Sequence, residues 1–202
     1  MYRDFVYLDE TVPGVRWDAK YATWDNFTGA PVTGYPVNRI IATKKMSVAL
    51  RGVRRKAEEL GFGLLLWDGY RPQRAVDHFL RWAGSGGEET TKPRYYPNID
   101  RKSMIAQGYI APKSGHSRGS SVDLTLYCLE TNAMLPMGGH FDLMDRISHH
   151  GADGIGSEEA ENRNTLKQLM EACGFLAYEC EWWHYTLERE PFPDTYFDFV
   201  AT

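Results

Sequence analysis

The 202-residue chain carries 23 Lys and Arg against 27 Asp and Glu, for a net charge of −4 and a pI near 5.9. That balance gives no electrostatic attraction to phosphate backbones or anionic lipid, which argues against nucleic-acid and membrane partners. Its 43% hydrophobic and 25% charged residues match an ordinary globular protein and exclude a disordered chain.

The length fits one domain, 1–202, with a substantial core. The N-terminal stretch Met1–Glu10 interrupts its apolar residues with acids, and no later run approaches membrane-spanning length. The expectation is a cytoplasmic chain without leader or anchor. Cys128, Cys173 and Cys180 show no CxxC spacing and are expected to be packing residues in a reducing compartment.

In chain order, Met46, Ala49, Leu50, Val53, Ala57 and Leu60 lie at helical spacing over 44–60, and Gly61 supplies a left-handed stop. The charged run Arg51, Arg54, Arg55 and Lys56 fits the wet face of that helix. Phe62 to Trp67 reads as a buried strand closed by Asp68-Gly69 turn chemistry. Pro72 is expected as the first residue of a helix that buries Ala75, Val76, Phe79, Leu80 and Ala83. Gly84–Thr91 reads as an exposed loop.

Val122 to Tyr127 alternates with period two and puts Asp123, Thr125 and Tyr127 on one strand face. Ser157 with Glu158, Glu159 and Glu161 opens a helix that Gly174 closes. Short strands follow at 175–178 and roughly 182–187. These uneven blocks predict a single α+β domain with a mainly antiparallel sheet and flanking helices. The segment 17–27 and the tail 192–199 are expected to wrap that sheet.

Two segments carry chemistry. Ser114-Gly-His-Ser-Arg-Gly-Ser-Ser-Val-Asp123 is a Gly-rich turn bearing His116 that feeds the strand bearing Asp123, so an imidazole and a carboxylate can meet at one point. Glu181-Trp-Trp-His184 places an acid and a second imidazole three apart. An open zinc site needs three protein ligands and a nearby acid that stays off the metal. Together the segments complete such a set, with Glu181 as the spare acid. His149-His150 is a rival pair, but neighbours on an extended chain point to opposite sides. His78 and His140 read as structural or surface residues.

The combination SGHSRGSSVD, EWWH and the upstream WDGYRP resembles the D-alanyl-D-alanine dipeptidases of the VanX type, within the zinc D,D-peptidases that share a fold with hedgehog domains. The resemblance extends to RWDAKYATWDNFTG near the start, SHH at 148–150 and YFDF at 196–199. It implies a hedgehog/DD-peptidase-like fold and one Zn2+ per chain held by His116, Asp123 and His184. It further implies Glu181 as general base and acid, and Arg71 as stabiliser of the transition state. Asp68, across the turn from Arg71, is expected to orient the guanidinium.

The activity implied is hydrolysis of free D-Ala-D-Ala, in glycopeptide resistance or in recycling of the cell-wall dipeptide. Two alternatives stand beside it: a D,D- or L,D-carboxypeptidase that trims peptidoglycan stem peptides, and a zinc-stabilised binding module without catalysis. Retention of Glu181 and Arg71 argues against the second, since a structural zinc site needs neither. An enzyme restricted to dipeptides must sense the free amine, so Asp142 and Tyr21, with Asp123, are expected around the ammonium. Ser114 is expected to donate to the substrate's backbone or carboxylate. Homo-oligomerisation is left open.

Overall fold

The computed structural model describes residues 2–200. Strand β1 (Phe5–Tyr7), helix α1 (Leu8–Thr11) and strand β2 (Arg16–Trp17) open the chain, followed by β3 (Ile41–Thr43), α2 (Lys44–Glu59) and β4 (Phe62–Asp68). Helices α3 (Gln73–Gly84) and α4 (Lys92–Tyr95) come next, then β5 (Ser121–Cys128), α5 (Ser157–Glu171), β6 (Phe175–Ala177) and β7 (His184–Leu187). The main sheet runs β2-β4-β5-β7-β6, and only the β2–β4 pair is parallel. β1 and β3 form a separate antiparallel pair. The architecture is the α+β arrangement expected.

Helix α2 begins where the Thr43 hydroxyl accepts the Met46 N–H, and it ends at Gly61 with φ +82°. Its buried face is Met46, Leu50, Val53 and Ala57. Leu60, at the end of the apolar series, is the C-cap and is exposed, because the helix stops before it can turn inward. Pro72 is the N-cap of α3 rather than its first residue: its ψ of 149° is extended, and the helix starts at Gln73. Leu80 is only partly buried against the core.

Val122, Leu124 and Leu126 of β5 share one core with Leu64 and Leu66 of β4, the buried face of α2, and Leu166, Leu169 and Met170 of α5. Trp182 and Trp183 precede β7 rather than opening it, since Glu181 and His184 are tied by a turn in which the His184 N–H donates to the Glu181 carbonyl. The tail does not wrap the main sheet. Phe192, Phe197 and Phe199 pack with Phe5, Tyr7, Ile41 and Tyr70 in a second aromatic cluster over the β1–β3 pair. The N-terminal segment instead sends Tyr21 and Phe27 against Phe79 of α3. Cys180 is exposed, so it is not a packing residue; Cys128 and Cys173 are half-buried, and all three thiols are free. No helix among the described residues is long and apolar enough to cross a membrane.

Candidate metal centre and active site

The site begins with register. Leu65 pairs with Thr125 and Leu66 with Leu124, but the next pair is Asp68 with Asp123, because the ladder shifts at Trp67. A bulge adds one residue and re-aims the side chains beyond it. β7 then pairs His184 with Asp123. Asp68, Asp123 and His184 thus form one row across three adjacent strands, where neighbouring side chains lie about 5 Å apart.

His116 reaches the row from the 3-10 turn Gly115–Arg118, which packs before β5. Ser114 caps this turn by accepting the His116 N–H, and Gly119 ends it at φ +74°, where an added Cβ would clash with the Phe5 ring. The buried His116 ring places Nδ1 2.6 Å from the Gly69 carbonyl oxygen. A carbonyl only accepts, so Nδ1 carries the proton and Nε2 keeps its lone pair.

That lone pair lies 3.1 Å from His184 Nδ1 and 3.3 Å from Asp123 Oδ2, and His184 Nδ1 lies 2.9 Å from Asp123 Oδ1. All three donor atoms fall within 4.8 Å of one another. His184 Nε2 faces the Thr186 hydroxyl at 3.4 Å. Two imidazole nitrogens and a carboxylate converging with so little between them leave electron pairs facing each other. Tetrahedral zinc with bonds of about 2.0–2.1 Å holds its donors about 3.3 Å apart, so this donor set fits that ion in chemistry and spacing.

Burial pushes the Asp123 carboxyl up, but the neighbouring His116 and His184 imidazoles hold it well below the usual carboxylate range. Burial opposes the charged form of His184, yet the Asp123 carboxylate raises its pKa. Glu181 Oε2 lies 3.9 Å from His184 Nδ1, and among the described residues the Glu181 carboxylate accepts no hydrogen bond. Its side chain is 31% exposed, but into the cleft rather than to open solvent. Burial raises its pKa, His184 opposes the rise, and the like charge of Asp123 adds to it.

Arg71 donates from Nε to Asp68 Oδ2 at 2.9 Å, with Nη2 also 2.9 Å from that oxygen and 3.6 Å from Asp123. Tyr35 donates to the other Asp68 oxygen at 2.8 Å. Asp142, at φ +61° in its turn, accepts both contacts of the Tyr21 hydroxyl at 2.8 and 3.0 Å. Burial and the Asp123 charge raise the Asp142 pKa, while the Tyr21 hydrogen bond opposes them. Tyr21, Arg71, Ser114, His116, Asp123, Asp142, Glu181 and His184 line one cleft of about 240 Å³, and the buried Asp68 holds Arg71 from outside that lining. The structure therefore brings together the eight cleft residues expected from the sequence, with Asp68 bound to Arg71 behind them.

A family model described as "D-ala-D-ala dipeptidase" matches residues 1–202. The chain belongs to the Peptidase_M15 family. Curated relatives named D-alanyl-D-alanine dipeptidase include one from Streptomyces coelicolor, 61% identical over 98% of each chain, and one from Enterococcus faecalis, 58% identical over 100% of each. A relative of the same name from Escherichia coli is 30% identical over 92% of this chain and 86% of its own.

Sequence reasoning missed several parts of this peptidase site. Tyr35 gave no signal, since nothing in its Gly-Tyr-Pro setting marks a partner at the end of β4. The Gly69 carbonyl was legible only as turn chemistry. A Cβ there would sit 2.5 Å from the Ile41 carbonyl oxygen, so the close backbone approach requires glycine. Lys113, Tyr109 and Tyr178 line the cleft without belonging to either motif. The rival imidazoles lie elsewhere: His150 packs against Tyr185, His78 accepts the Thr33 N–H, and His140 contacts the Arg94 carbonyl.

Proposed function

We propose that this chain is a zinc-dependent dipeptidase that cleaves D-Ala-D-Ala to two D-alanines, and that residues 1–202 form one catalytic domain acting in the cytoplasm. The observation that carries this reading is the convergence of His116 Nε2, His184 Nδ1 and the Asp123 carboxylate beside an unengaged Glu181 carboxylate. The names of the relatives at 58–61% identity supply the substrate, and three free cysteines support the reducing compartment.

His116, Asp123 and His184 would hold one Zn2+, which when bound polarises the scissile carbonyl and acidifies water. Glu181 takes the proton of the attacking water at a carboxylate oxygen and delivers it to the leaving amine. A carboxylate whose pKa is lifted by burial is a stronger base towards the water proton. Arg71 presents a fixed positive charge to the oxygen that becomes anionic, because Asp68 holds Nε and Nη2 and, among the described residues, Nη1 has no acid partner. Tyr21 and Asp142 together receive the substrate ammonium, an acceptor pair suited to a desolvated cation. Ser114 keeps its own O–H to donate while its oxygen accepts from His116.

The cleft volume, about 240 Å³, lies below the roughly 300–1,000 Å³ typical of sites for drug-sized ligands. A cleft of that volume accommodates a free dipeptide. Such hydrolysis would serve glycopeptide resistance by depleting a wall precursor, or recycling of the dipeptide. The test is amine release from D-Ala-D-Ala, L-Ala-L-Ala and a stem pentapeptide. Cleavage of the first alone is the expected outcome, and preference for the pentapeptide would favour the carboxypeptidase alternative.

A further inference from the structure

A dipeptide brings a carboxylate as well as an ammonium, and the cleft offers more acids than cations. Asp123, Asp142 and Glu181 line it, while its only Lys or Arg side chains among the described residues are Arg71 and Lys113. Arg71 is engaged: Asp68 and Asp123 take its polar edge, and its guanidinium carbon lies 5.0 Å from the Tyr21 ring centroid and 5.2 Å from that of Phe79. Its remaining donor faces the reacting carbonyl in the mechanism above. A second anion needs a second cation.

Lys113 meets that need. It is exposed and, among the described residues, makes no ion pair; its ammonium lies 4.7 Å from the centroid of the Tyr196 ring. An aromatic face holds a cation without neutralising it. In the tail, Glu190 is taken by Arg118, which donates to both its oxygens at 2.7 and 2.6 Å, and Asp198 by Arg74. The backbone before Lys113 is fixed, since the Pro112 carbonyl accepts from Gln73 Nε2 at 2.9 Å. Next in sequence is Ser114, whose hydroxyl still has a proton to donate.

We infer that Lys113, with the adjacent Ser114 hydroxyl, recognises the C-terminal carboxylate of the substrate and so determines specificity for a peptide with a free C-terminus. The inference deepens the dipeptidase reading and rests on it. An ammonium–carboxylate pair backed by a hydroxyl is charge-assisted, and at the cleft rim its main effect is on ground-state binding.

The test compares zinc-loaded wild type, Lys113→Ala and Lys113→Arg on D-Ala-D-Ala and on D-alanyl-D-alaninamide, which lacks the anion. The expected result for Lys113→Ala is a KM for D-Ala-D-Ala raised by about tenfold with kcat little changed. On the amide the variant and wild type should have similar kcat/KM, and Lys113→Arg should recover most of the loss. Equal losses on both substrates, or undiminished discrimination between them in Lys113→Ala, would overturn the assignment. Wild type that cleaves neither substrate would overturn the dipeptidase reading itself, so the two failures are distinguishable.

Discussion

Tyr35 and Asp68 meet 33 residues apart in sequence, with the phenol donating to Asp68 Oδ1 at 2.8 Å while Arg71 takes Oδ2. Asp68 is fully buried, so each oxygen needs a donor. The approach depends on Gly34, at φ +103°, where a Cβ would sit 2.6 Å from Pro72 Cγ. Tyr35 therefore completes the shell that aims Arg71.

From this pairing, Tyr35→Phe should lower kcat by roughly 10-fold and Asp68→Asn by roughly 100-fold, because the guanidinium loses its fixed direction. Metal content should stay at the wild-type level in Tyr35→Phe. Steady-state kinetics with metal analysis checks both, and unchanged kcat in the two variants would remove the Asp68–Arg71 pair from the mechanism.

Glu181→Gln should retain the metal yet lose at least about a hundredfold in kcat, since an amide cannot accept the proton from water. The side chain lies 3.9 Å from His184 and outside the donor set. Near-normal turnover in this variant would remove Glu181 from the role of base.

Recognition of the ammonium by Asp142 and Tyr21 predicts poor cleavage of N-acetyl-D-Ala-D-Ala by the wild type. Asp142→Asn should lose activity on the free dipeptide and with it most of the preference over the blocked one, by roughly 10-fold or more in relative kcat/KM. Equal cleavage of blocked and free substrates by wild type would show that the amine is not sensed.

The row Asp123 and His184 could be read from period-two alternation and short spacing, because strand geometry fixes which side chains share a face. The helices α2, α3 and α5 were legible for the same reason at period 3.6, although Pro72 caps α3 rather than opening it and α5 stops at Glu171, short of Gly174. What sequence could not show was the bulge at Trp67, which makes Asp68 rather than Trp67 the neighbour of Asp123. Ladder shifts depend on the partner strand, and alternation within β4 alone does not record them. Tyr35 and Lys113 escaped for a related cause: each acts through a contact set by distant chain. The tail was misplaced because its aromatics signal burial without saying against which of two sheets.

Gly69→Ala should destabilise the fold, since a Cβ there lies 2.5 Å from a backbone oxygen and 2.7 Å from Ile40 Cγ2. Overpacking of this kind costs about 1–3 kcal/mol, which for a chain of this size is a fall in Tm of roughly 2–12 °C. Thermal unfolding of the variant measures it. A Tm equal to wild type would mean that the loop gives way without cost.

The half-buried His150 gives the fold an acid sensitivity. Burial, with help from Lys167 and Arg163, pushes its pKa down from 6.5 to about 4, and Glu179 opposes them. Above pH 6.5 the ring is neutral folded and unfolded, so it adds no pH dependence. Between 6.5 and 4 the unfolded chain takes a proton that the folded chain refuses, and stability falls with pH. His150→Phe, which also removes a buried nitrogen without a partner, should flatten the decline of Tm over that window. An unchanged slope would assign the acid sensitivity to other groups.

That a single zinc ion held by His116, Asp123 and His184 is required for cleavage can be checked by metal analysis and D-alanine release on the same samples. The samples are wild type as purified, after chelator, after zinc is restored, and His184→Ala. The expected result is about one zinc per chain with activity, both lost to chelator and both regained on restoration, and neither present in His184→Ala. Full D-Ala-D-Ala hydrolysis by metal-free wild type, or near-stoichiometric zinc in His184→Ala, would contradict it.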